Sequence, residues 1–118
     1  DPLPGNTPQE VLVQVAIGDS QVSTLGAHML MRGVGGGLIA DPTRDIWGLD
    51  ELADGAAGSG LVEWDYGLEE PFVSIPPNKD TDPHGRTRKE FESQEQLHHF
   101  LSTGELVNFC DGPCVNLD

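Results

Sequence analysis

The run Val11-Leu12-Val13-Gln14-Val15-Ala16-Ile17 constrains this chain more than any other stretch. Apart from Gln14, both of its faces are apolar, the pattern of a strand covered on both sides. Such a strand sits in a parallel sheet with helices above and below, and it needs neighbours on its edges. Gly18-Asp19-Ser20 ends it. A helix is expected next, capped by Ser23 or Thr24, with Ala27, Leu30, Met31 and Val34 as one apolar stripe and Met29 and Met31 as core or near-core filler. Gly33 and Gly35-Gly36-Gly37 stop it.

A second strand is expected over residues 61–66. There Val62, Trp64 and Tyr66 share one face and Glu63 and Asp65 the other, so it belongs nearer a sheet edge with one polar side. Between the strands, residues 38–60 read as mostly irregular, with a short apolar piece at Leu38-Ile39, a turn of helix at Leu49-Asp50-Glu51-Leu52, and Trp47 anchoring the loop. Residues 67–90 form a long polar loop with Pro71, Pro76, Pro77 and Pro83. The last helix is expected to start at Ser93, with Gln96 completing a capping box. Leu97, Phe100 and Leu101 face inward and Gly104 closes it.

The resulting order of strand, helix, strand, helix defines an α/β chain, part of a mostly parallel sheet with flanking helices. Two strands do not complete a sheet, so the chain reads either as a single domain over 1–118 or as the C-terminal segment of a larger α/β domain. Residues 1–9 are a proline-rich lead-in, and Asp1-Pro2-Leu3-Pro4 reads as an interior cut rather than a native start. With 118 residues, 36% hydrophobic and 6% aromatic, and with 15 glycines and 9 prolines, the chain is loop-rich and poorly supplied for an independent core.

The formal charge of −14 opposes contact with phosphate backbones and anionic lipid, which argues against nucleic-acid and membrane-surface partners. No apolar run reaches the length of a membrane span. Cys110 and Cys114 lie close together, and residues 105–118 read as a tail closed by their disulfide, which implies an extracytoplasmic, oxidising setting. A redox pair or half of a metal site are the rival readings of the two cysteines.

Functional residues of doubly wound folds emerge just past the C-terminal ends of the strands. Asp19 follows the first strand, and His84, in Asp82-Pro83-His84-Gly85, lies between the second strand and the last helix. An acid and a histidine should therefore meet on one edge of the sheet. His98 and His99 on the last helix are reserve bases, and His28 is read as an inert mid-helix residue. Arg86, Arg88 and Lys89, the basic cluster, offset the acidic surface or bind a substrate carboxylate.

This layout, with Val15-Ala16-Ile17-Gly18-Asp19-Ser20-Gln21-Val22 as the acid turn and His84 before the last helix, resembles the C-terminal portion of secreted bacterial α/β-hydrolases of the lipase and esterase kind. The resemblance spans about residues 10–104 as an order of elements. It implies that Asp19 and His84 are the acid and histidine of a catalytic triad, with no cofactor, acting on an ester or related acyl substrate. The chain has no Gly-x-Ser-x-Gly elbow, and Gly58-Ser59-Gly60 is too short for one. The nucleophile would then come from the remainder of the hydrolase or from a partner subunit, and this chain alone would be inactive. Two alternatives compete. One is a non-catalytic acidic binding module, with Asp80, Asp82 and Asp111 offering oxygen ligands to calcium. The other is a subunit whose buried strand completes a partner's sheet.

Overall fold

The computed structural model describes residues 3–69 and 82–118. Pro71, Pro76, Pro77 and Asp80 lie outside the described residues. The elements run β1 (Leu12–Ala16), α1 (Thr24–Val34), β2 (Gly37–Leu38), β3 (Ala56–Ala57), β4 (Gly60–Trp64), a 3-10 turn (Thr87–Lys89), α2 (Phe91–Thr103) and β5 (Glu105–Leu106). The larger sheet is parallel and has the order β1-β4-β2, while β3 and β5 form a small antiparallel pair. An α/β chain with a parallel sheet flanked by helices is therefore what forms. No helix among the described residues is long and apolar enough to cross a membrane.

Strand alternation sorts the core into two layers. Val13, Val15 and Leu61 face α1 and pack with Ala27, Met31, Leu38, Ile46 and Leu49. Leu12, Ala16, Val62 and Trp64 face the opposite side and pack with Tyr66, Leu106, Phe100 and the cysteine tail. The disulfide Cys110–Cys114 forms with a Cα separation of 5.4 Å. Its loop is organised by Asn108, whose amide donates to Ala40 O and Gly112 O while its carbonyl accepts from Cys110 N. The tail then pairs with the end of β4: Asp65 N donates to Cys114 O, and Asn116 N to Asp65 O.

Several expectations are corrected. The strand at residues 61–66 is not near an edge: β4 is central, and all five of its residues are buried. Glu63 shares this burial because it is paired with a guanidinium and an imidazole, so its presence did not mark a wet face. The Leu38-Ile39 piece supplies the third strand. Residues 49–52 are extended rather than helical, because Leu38 N donates to Asp50 O and Leu52 N to Leu38 O. Trp47 does not anchor its loop by burial. It is 85% exposed, and Ile46 and Leu49 are the buried anchors. Arg32 lies over its ring and donates to its carbonyl.

Both helices depart from the expected stripes. In α1, capped by Ser23 Oγ and ended by Gly35 at φ 73°, Ala27 and Met31 are buried, but Met29, Leu30 and Val34 are exposed. The glycine after the cap, Gly36, runs so close to Ser59 that a side chain there would collide with its carbonyl. Helix α2 begins two residues before Ser93, so Ser93 is not its cap. Ser93 and Gln96 are buried while Leu97 and Leu101 face outward. The physical reason is a polar seam. Gln14, the one polar residue of β1, donates from Nε2 to Ser93 O and Gln96 Oε1, and Gln96 donates to Val107 O. A buried amide needs partners, and these two α2 residues supply them.

Candidate functional site

Gly18 makes the turn that follows β1. Its φ of 86° suits glycine, and a Cβ there would lie 2.8 Å from Leu68 Cβ. The turn presents Asp19, which is 9% exposed. Asp19 Oδ1 accepts from the amides of Gln21 and Val22, both at 2.8 Å, and this fixes the carboxylate plane. Oδ2 is left for a second partner, and that partner is His84, whose Nδ1 lies at 2.9 Å.

His84 comes from the opposite loop. Pro83 is fully buried beneath it, and the 3-10 turn that follows is pinned through Thr87, which accepts from Tyr66 OH at 3.3 Å. Burial, opposed in part by that hydrogen bond, pushes the Tyr66 phenol up to about 12, so it stays a neutral donor. Arg86 stacks 4.1 Å over the Tyr66 ring and donates to a main-chain oxygen of Asp118. The basic cluster is thus partly structural. The His84 side chain is 36% exposed against 8% for that of Asp19, and no hydrogen bond from its Nε2 forms among the described residues. With Nδ1–H donated to the carboxylate, Nε2 carries the free lone pair.

The pair stands beside a groove of about 400 Å³ whose lining includes Val13, Val15, Val22 and Leu30 with His84. The groove follows the outer edge of β1. Gly60 N donates to Val11 O and Ile17 N to Trp64 O. The amides of Leu12, Gln14 and Ala16 therefore point away from β4. No strand among the described residues pairs with that edge.

Sequence reasoning missed a second carboxylate–histidine pair. Glu63 Oε1 lies 2.7 Å from His28 Nε2, and Arg44 donates from Nε to Oε2 at 2.6 Å and from Nη2 to Oε1 at 2.9 Å. The available signal was Glu63 itself, since an acid between Val62 and Trp64 requires compensation if the strand is central. His28 therefore has a partner. His99 bonds Glu105 and meets the Phe109 ring edge-on, and neither it nor His98 bonds Asp19. Asp82 accepts N–H donors on both oxygens, and no group of three or more His, Cys, Asp or Glu side chains suited to a metal ion occurs among the described residues. A scan against protein-family models, a search of curated proteins and a search of solved structures each found no match.

Proposed function

We propose that this chain supplies the acid and the base of a serine-hydrolase site, and that the nucleophile stands on a separate segment seated along the outer edge of β1. The observation that carries this reading is the Asp19–His84 hydrogen bond at 2.9 Å, made between two loops that leave parallel neighbouring strands at the same end. His84 Nε2 takes the proton of the serine hydroxyl as the oxygen attacks the acyl carbon, then returns it to the leaving group. Asp19 holds the ring in the Nδ1–H tautomer and stabilises the imidazolium. The β1 edge, which no strand among the described residues pairs, supports an incoming strand, and it equally suits the reading of a subunit that completes a partner's sheet. Such an edge is a template for pairing. The disulfide fits an extracytoplasmic site of action.

The test uses the chain together with the polypeptide that co-purifies with it. A fluorophosphonate probe should label a serine of that polypeptide, and the assembly should hydrolyse a short-chain nitrophenyl ester. Replacing His84→Ala should abolish both. An assembly that hydrolyses no such ester, or one whose rate survives His84→Ala, overturns the reading.

A further inference from the structure

Asp19 and His84 are 65 residues apart in sequence and sit on separate loops, so something must hold the two loops in register. Their own bond joins two side chains and ties neither loop's backbone to the other. We infer that Asp82 is the latch: a positioning residue that fastens the His84 loop to the Asp19 turn and so sets the ring against the carboxylate.

The geometry is specific. Asp82 Oδ1 accepts from His84 N at 3.2 Å, which orders its own loop, and also from Ser20 N at 3.4 Å, which lies across on the acid turn. Asp82 Oδ2 accepts from Gln21 Nε2 at 2.7 Å, again across the gap. Gln21 N in turn donates to Asp19 Oδ1. One carboxylate thus touches both residues that follow Asp19 and the backbone of the histidine itself. An aspartate that served only its local turn before a proline would need the His84 N bond alone. The donors to Asp82, Gln21 foremost, hold its carboxyl below its ordinary value, so the latch is charged at neutral pH.

The role as an aid to turnover rests on the hydrolase reading, but the latch itself can be read without catalysis. The full chain is labelled with ¹⁵N-histidine, and the ring nitrogens of His84 are assigned by comparison with His84→Ala. In the unsubstituted chain the Nδ1–H tautomer should predominate once the ring is neutral. Asp82→Ala should shift His84 toward the Nε2–H tautomer, while the signals of His28 and His99 stay in place and report an intact fold. Asp82→Asn, which keeps one acceptor oxygen, should retain more of the Nδ1–H form than Asp82→Ala. If Asp82→Ala does not fold, Gln21→Ala removes the shorter of the two bonds across the gap, leaving the one from Ser20 N, and should shift the tautomer the same way by a smaller amount. A His84 spectrum unchanged in Asp82→Ala, or unchanged in Gln21→Ala where that is the variant that folds, overturns the latch.

The two ideas fail separately. In the active assembly, Asp82→Ala should lower kcat by about 100-fold with little change in KM, the scale of a misplacement of ~1 Å. Activity that needs His84 but is indifferent to Asp82 sinks the latch and leaves the hydrolase reading standing. A tautomer shift without any ester hydrolysis does the reverse.

Discussion

Three histidines among the described residues touch a carboxylate, and two of those pairs, Glu63–His28 and Asp19–His84, are closed off in opposite ways. Glu63 and His28 sit on a central strand and a helix. Their side chains are 2% and 11% exposed, and Arg44 covers both carboxylate oxygens with a fork of two N–H groups. Asp19 and His84 sit on loops. The histidine is 36% exposed, one carboxylate oxygen is taken by two backbone amides, and no guanidinium bonds the other among the described residues. The first pair is compensated in place, so a proton leaving or arriving there disturbs a closed set of partners. In the second, no hydrogen bond from Nε2 forms among the described residues, and the ring borders a largely apolar groove. A carboxylate–histidine contact alone therefore does not mark a reactive site; what surrounds it does.

The contrast can be broken by substitution, most sharply in turnover. Asp19→Asn should lower the ester-hydrolysis rate of the assembly by about 10⁴-fold, because the amide favours the wrong tautomer. Glu63→Gln should leave the rate per folded molecule unchanged, and steady-state assays corrected for folded fraction decide between them. Stability should show the mirror image. Arg44→Ala leaves a buried carboxylate short of its cation and should cost about 3 kcal/mol in urea unfolding. His28→Ala removes a hydrogen bond to a buried charged group and should cost about 1.5 kcal/mol, whereas His84→Ala should fall within about 0.5 kcal/mol of the parent. Equal losses for the two histidines would erase the comparison. The smallest effect is an acid one. Asp82 has its carboxyl held below 3.8 in the fold, so the unfolded chain takes up that proton first. Its contribution is present above about pH 4 and fades as pH falls through its depressed value. Asp82→Asn should therefore flatten the pH dependence of unfolding below pH 4, with a small loss of stability at neutrality that closes as the pH falls.

The parts of this molecule legible in the sequence were those governed by local rules. The doubly apolar run at 11–17 and the left-handed glycines at 35 and 104 follow from side-chain alternation and helix-end chemistry, and β1, α1 and the end of α2 lie where those rules put them. Asp19 and His84 could be chosen because strand ends are where a parallel sheet offers its loops. What was not legible depended on partners distant in the chain. Glu63 looked like a solvent-facing residue because Arg44 and His28 are invisible to a period-two pattern. The inward face of α2 was misread because Ser93 and Gln96 answer to Gln14, about eighty residues earlier. Leu30 and Val34 matched an amphipathic stripe, yet both are exposed, and only Ala27 and Met31 of that stripe reach the core.

The pairing of β1 with β4 sets a clock. Leu12 meets Gly60 only after everything between them has been traversed, and a parallel ladder gives no hairpin from which to zip. Contacts this far apart in sequence form late and slowly, because loop-closure entropy must be overcome before any ladder bond rewards it. Until β4 arrives, the layer that holds Val13 and Val15 against α1 lacks Leu61. The Asp19–His84 contact, 65 residues apart in sequence, is of the same long-range kind, and its growth in time would report the closing of the sheet itself.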